Sequence, residues 1–173
     1  ADYPRLLKQH LGAAAPAVLY GCGNKQLLSQ PAIGVVGSRK ADQNDLDYAS
    51  ALGRNITQQA CSVVSGCARG IDEASMLGAL ENEGTAIGVV ADSLMQAARV
   101  RKWRDGLMSN NLVLVSPYYP DAAFSRGNAM GRNKFIYCLS QATLVVHSGK
   151  DGGTWTGAEE NLSMFEVTEA SNA

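Results

Sequence analysis

Four short stretches of the chain combine glycine or serine with a cation. They are Gly37-Ser38-Arg39-Lys40, Ser65-Gly66-Cys67-Ala68-Arg69-Gly70, a long segment from Pro117 to Asn128 leading to Arg132, Asn133 and Lys134, and Ser148-Gly149-Lys150-Asp151-Gly152-Gly153-Thr154. Glycine lets backbone N–H groups come close to a ligand. Serine and threonine hydroxyls add donors, and arginine grips a phosphate through two parallel hydrogen bonds. A helix that follows such a turn contributes unpaired N–H groups and positive potential. The chemistry these residues share is anion binding, and phosphate is the anion that fits. The segment MGRNKFIYCLS (130–140) sharpens the point. Phe135, Ile136 and Leu139 supply an apolar helix face, while Arg132, Asn133 and Lys134 crowd the place where that helix is expected to begin. Cations at the positive end of a helix cost roughly 0.3–1 kcal/mol, and a bound phosphate is the expected compensation.

Each stretch also has a plainer explanation. A glycine turn before a helix is common, so GSRK alone says little. Asp72 can hold its turn structurally while Arg69 faces the site. Arg132 and Lys134 can pair with Asp121 or Glu159. His147 reads as a half-buried strand residue rather than a base. Other chemistries lack their residues. No G-x-G-x-x-G follows the first predicted strand, and no acidic residue ends the second to hold a ribose, which disfavours a nicotinamide cofactor. G-x-x-x-x-G-K-[ST] is absent, and no Ser–His–Asp set is apparent. The four cysteines form no C-x-x-C pair and the two histidines lie far apart in sequence, so neither a metal nor a cofactor is expected.

The elements that must position these loops are short apolar runs: AIGVVGS (32–38), CSVVSG (61–66), TAIGVV (85–90), NLVLVS (111–116) and TLVVHSG (143–149). Four are valine-rich without clean alternation, as in strands covered on both faces. Helices are expected between them over 45–59, 70–84, 93–107 and roughly 130–141, with a last one starting near Thr156. Strand and helix in alternation imply an α/β fold, a doubly wound, mostly parallel, Rossmann-like sheet. Residues 1–30 do not join this rhythm and read as a short helix and an extended lead-in, leaving 31–173 as the domain proper. In such a sheet the loops after the strands gather at one edge, where ligands bind.

The totals agree with a single domain. The chain has 173 residues, 46% of them hydrophobic, and 18 glycines, enough for one well-buried core. No run is long and apolar enough for a membrane span, and cytoplasmic cysteine chemistry is expected. The net charge of −1 argues against a polyanion binder charged all over, yet Arg99, Arg101, Lys102, Arg104, Arg126, Arg132, Lys134 and Lys150 face only Asp105 and Asp121 between residues 99 and 150.

GVVGSR (34–39), SGCARGID (65–72), FSRGNAMGRNKFIYCLS (124–140) and GGTWTGA (152–158), in this order, resemble the DNA-processing protein A family (DprA, also called Smf), with its G-S-R, S-G-x-A-x-G-I-D and F-x-x-R-N-R-x-I-x-x-L-S patterns. The lead-in YPRLLKQHLGAAAPAVLYGCGN is similar to the family's YP-x-x-L … P-x-x-L-Y-x-x-G-N segment. The resemblance implies an extended Rossmann fold that binds single-stranded DNA, protects incoming DNA in natural transformation and helps load the RecA recombinase, often as a homodimer. It implies DNA contacts at Ser38, Arg39, Ser65, Gly66, Arg69, Phe124, Arg132, Asn133 and Lys134. The loop residues Gly37, Gly70, Gly152, Gly153 and Thr154 complete the expected phosphate-binding set. The chain departs from the family in having Ser75 where a histidine is common, Lys134 for the second arginine of R-N-R, Ser116-Pro117 for S-E, and SLMQAARVRKWRDGL in place of a loop with Y-P and N.

The alternative reading is a nucleotide-binding sensor or enzyme. DGGTWTGAEE (151–160) resembles the P-G-G-x-G-T-x-x-E pattern of lysine-decarboxylase-like phosphoribohydrolases. There Glu159 or Glu160 would be the catalytic carboxylate and Arg132 the phosphate holder. The second glycine of G-x-G-T is missing and the glutamates lie deeper in the helix, so binding without catalysis is the expectation.

Overall fold

The computed structural model describes residues 3–147, 153–164 and 168–169. Seven strands form one sheet: β1 (Tyr20–Gly23), β2 (Ala32–Gly37), β3 (Ser62–Ser65), β4 (Ala86–Val89), β5 (Leu112–Ser116), β6 (Ala142–Val146) and β7 (Thr168–Glu169), in the order β1-β5-β4-β3-β2-β6-β7. β2 to β7 pair in parallel, and β1 alone runs antiparallel, against β5. The fold is the expected doubly wound α/β sheet. The lead-in completes it, because β1 extends the edge at β5, and Leu7, Leu11 and Leu27 are buried in the core.

The parallel strands are apolar on both faces because both faces are covered. Val36, Val64, Ile87, Val113 and Val115 point into a core closed by α1 (Arg5–Leu11) and α6 (Arg126–Cys138). Val35, Val63, Leu112 and Leu114 point the other way, into a core closed by α2 (Gln43–Gln58), α3 (Ile71–Leu80) and α5 (Arg101–Met108). Period-two alternation therefore exists, but apolar residues occupy both phases. α2 and α3 cross closely, since a Cβ at Gly53 or Gly78 would meet the partner helix's backbone at Ser75 or Ser50.

Helix ends differ from the sequence expectation in three places. Residues 93–107 form two helices, α4 (Leu94–Ala97) and α5, with Ser93 capping the first. The final helix α7 begins at Gly153, ahead of Thr156. α6 begins at Arg126, where the Ser125 hydroxyl accepts the Asn128 N–H at 2.9 Å. Arg132, Asn133 and Lys134 thus sit in its second and third turns, away from the positive end, and the unfavourable placement anticipated from sequence does not arise.

β2 and β6 are neighbours, yet the chain leaves β2 toward α2 and β3 and leaves β6 toward α7 on the other side. This is the switch point at which open parallel sheets offer a crevice.

The free thiols divide by environment. Burial pushes the Cys67 thiol up to about 12 and that of Cys138 up to about 11, whereas Cys22 is exposed on β1. Since the thiolate is the reactive form, native protein treated with a thiol reagent at neutral pH should label exposed Cys22 first, half-buried Cys67 more slowly, and buried Cys138 only on unfolding. Labelling of Cys67 at the rate of Cys22 in the native state would contradict this burial.

Candidate nucleic-acid interface

The loops after β2, β3 and β6 are fastened to one another by backbone. The Ser38 N–H donates to the His147 carbonyl at 2.9 Å, and the Ser38 carbonyl accepts from Ile71 N–H at 3.4 Å. Gly70 makes the second contact possible. Its φ is 97°, and a Cβ there would strike the Ser38 carbonyl and the Arg39 backbone. The Thr154 hydroxyl donates to the Gly37 carbonyl and the Asn133 side-chain amide to the Gly153 carbonyl, each at 3.1 Å. The start of α7 is therefore pinned both to β2 and to α6.

Beneath these loops lies Asp72, in the first turn of α3 and 6% exposed. Its carboxylate accepts backbone N–H groups from Gly37, Gly66 and Ala68, and the Arg132 guanidinium stands beside it. Burial pushes the carboxyl upward from its ordinary value, against the pull of Arg132 and the three amides. Arg132 is itself only 3% exposed and donates from Nη1 to the Val89 carbonyl at 2.7 Å. Gly66 is buried where both groups meet: a Cβ there would overlap the guanidinium and the carboxylate. The negative group that balances Arg132 is thus Asp72 of the chain itself. The sequence alone led to the expectation of a bound phosphate in this role.

Above this floor opens a cleft of about 840 Å³. Ser38, Arg39 and Lys40 line one side, Phe124 and Arg126 another, and His147, Gly153, Thr154 and Thr156 the end near α7. Arg39, Lys40 and Arg126 are exposed. The Arg39 Cζ lies 5.7 Å from the centre of the Phe124 ring, which is 58% exposed, a cation–π arrangement. The α7 N-terminus adds positive potential at the far end. At the floor, Arg132 Nε and the Tyr137 hydroxyl are buried with no hydrogen-bond partner among the described residues. Burial, with Asp72 nearby, raises the Tyr137 phenol, so it stays a neutral donor.

Of the residues expected from sequence, Gly37, Ser38, Arg39, Phe124, Arg132, Asn133, Gly153 and Thr154 line this one cleft. Ser65 is fully buried and its hydroxyl bonds to the Val35 carbonyl, so it ties β3 to β2. Gly66 and Gly70 act by letting neighbours approach. Arg69 is exposed next to the cleft without lining it. Lys134 turns away, its Nζ 5.3 Å from the Phe135 ring centre. Gly152, like 148–151, lies outside the described residues. Sequence reasoning left Lys40, Arg126, Tyr137 and His147 out of the set. Lys40 and Arg126 were visible as loop cations. His147 was signalled by its position at the end of β6, where it is exposed with φ 48° and bonds through Nδ1 to Asp45 at 3.1 Å.

Asp72 is the stability test of this arrangement. Removing one member of a buried pair strands the other charge, at a cost of about 3–5 kcal/mol. Asp72→Ala should lower urea stability by that order and Gly66→Ala by about 1–3 kcal/mol through overlap with Arg132, while Arg39→Ala stays within about 0.5 kcal/mol. An unchanged urea midpoint for Asp72→Ala would refute the role of this carboxylate.

The family model described as DNA recombination-mediator protein A matches residues 1–167. The DNA processing protein DprA of Bacillus subtilis is 29% identical over 158 residues, 88% of this chain and 53% of that protein. The crystal structure of DprA from Streptococcus pneumoniae superposes with a TM-score of 0.86 at 26% identity, over 99% of this chain and 60% of that one. A DprA structure from Helicobacter pylori, concerned with single-stranded DNA binding, has the same fold, with a TM-score of 0.84 at 19% identity over 100% and 79% of the two chains. The chain spans about half the length of the Bacillus relative. With the family pattern running through almost every element of the sheet and through the loops of the cleft, the chain belongs to the DNA recombination-mediator protein A family, the DprA/Smf proteins.

Proposed function

We propose that the chain binds single-stranded DNA in the cleft at the β2/β6 switch point and performs no chemistry on it. The observation that carries this reading is a charge balance. The buried guanidinium of Arg132 is matched by Asp72 at the floor, whereas Arg39, Lys40 and Arg126 on the walls have no carboxylate partner among the described residues. A wall of unmatched cations with exposed Phe124 suits a flexible strand, with phosphates on the cations and a base on the ring. Ser38, Asn133 and Thr154 contribute donors, and the α7 N-terminus adds its amide groups. The Helicobacter pylori neighbour is described as binding single-stranded DNA, which supports the same ligand here. A part in DNA uptake and transformation, recombinase loading through RecA, action as a homodimer and a cytoplasmic location belong to this proposal. Among the described residues no helix is long and apolar enough to cross a membrane. Arg132 serves as the floor that fixes the loops rather than as the outermost phosphate contact.

Fluorescence anisotropy with labelled oligo-dT tests the reading. Neutralising phosphates releases counterions, so log affinity should fall linearly with log salt, by about 0.7 per phosphate contact. Arg39→Ala combined with Lys40→Ala should weaken binding at least tenfold, and Phe124→Ala should cost about 1–3 kcal/mol. Affinity that holds constant from low to moderate salt would overturn the proposal. Release of free base from a nucleoside monophosphate would instead favour the phosphoribohydrolase alternative.

A further inference from the structure

Arg69 and the basic residues before and within α5 are the features that the cleft does not use. α5 buries Trp103 and Gly106 and presents Arg101, Lys102 and Arg104 to solvent, with exposed Arg99 just ahead of it. Such a face is often only a solvated one. Three observations point further. First, Arg101 and Lys102 occupy the first turn of α5, the positive end, where cations are mildly unfavourable, and Arg101 and Arg104 are like charges three residues apart. Helix stability therefore does not account for them. Second, Arg69, Arg99, Arg101 and Arg104 make no ion pair among the described residues; the one cation of the group that does is Lys102, whose Nζ is 2.7 Å from Glu73 in the first turn of α3. Third, the group is continuous with the cleft. Glu73 ties α5 to the start of α3, Arg69 immediately precedes the Gly70 that packs on Ser38 and Arg39, and the Cys67 thiol feels both Arg132 of the floor and Lys102 of α5. The acids in this neighbourhood are Glu73, already paired, with Asp92 and Asp105.

We infer that a strand leaving the cleft crosses the crest at Arg69 and continues over Arg99, Arg101 and Arg104, which hold its phosphodiester backbone without reading its bases. The inference rests on the proposed binding of single-stranded DNA in the cleft. It gives the site a second half, on the opposite side of the sheet's carboxyl edge, that short oligonucleotides do not reach.

The test compares labelled oligo-dT of about six and about twenty nucleotides, lengths within and beyond one typical site, on the parent chain and on a triple variant Arg99→Gln, Arg101→Gln, Arg104→Gln. These side chains are exposed, and an unchanged urea midpoint checks the fold. The variant should bind the long oligonucleotide about tenfold more weakly, with a salt slope smaller by about 2 for three lost contacts, and bind the short one like the parent. Equal binding of the long oligonucleotide by variant and parent overturns the inference. Equal weakening for both lengths also overturns it, since a general field then replaces a track. Loss of binding in Arg39→Ala/Lys40→Ala with the α5 variant unaffected leaves the cleft standing and removes the track alone. Failure of the parent chain to bind either length removes both.

Discussion

A single buried carboxylate governs the geometry of the cleft. Asp72 collects the amides of Gly37, Gly66 and Ala68 from the ends of two adjacent strands and lies beside Arg132, which α6 sends across from the opposite face of the sheet. A carboxylate in so dry a place is tolerated only because several donors converge on it. Those donors are in turn fixed by it, so loops that would otherwise be independent share one arrangement. Arg132 extends the arrangement to the end of β4 through the Val89 carbonyl. The charge at the floor is internally balanced, and Arg39, Lys40 and Arg126 above it have no carboxylate partner among the described residues.

The switch point supplies the space, and the fastening of loops keeps it open. β2 and β6 pair along their length up to Gly37 and Val146, and one more backbone bond, Ser38 N–H to the His147 carbonyl, joins their ends before α2 and α7 lead away. The hydroxyl of Thr154 and the amide of Asn133 hold the start of α7 at the far wall. Phe124 stands on the near wall with Arg39 against its ring, so an aromatic face and a cation are presented together before any ligand arrives. This arrangement reduces the ordering that binding requires.

Much of this was legible from residue types and order. Valine-rich runs separated by helix-length segments identified five parallel strands, and the rule that such sheets bind at their carboxyl edge led directly to the GSRK and SGCARGID loops. What was not legible depended on orientation. Nothing in FSRGNAMGRNK distinguishes a helix starting at Arg126 from one starting near Met130 except the Ser125 cap, which is a local hydrogen bond. The partner of Arg132 lies sixty residues earlier in the chain, as Asp72, and only the closed sheet brings them together. Ser65 and Gly66 belong to the same motif as Arg69, yet two are buried in support of the floor and one is exposed. A motif records that its residues matter jointly, and does not say which of them touches the ligand. Lys134 shows the same limit: a two-residue step along a helix rotates a side chain by about 200°, which carries it away from the cleft that Arg132 underlies.

The antiparallel edge strand has a consequence for how the molecule is made. Tyr20 to Gly23 pair with Val113 to Ser116, so this strand waits for one that emerges only after the four helices α2 to α5. Until β5 has been translated, β1 has no strand to pair with, and the nascent sheet must grow outward from its middle strands. Assembly of the edge is then a late event, with loop closure over a long intervening chain setting its pace.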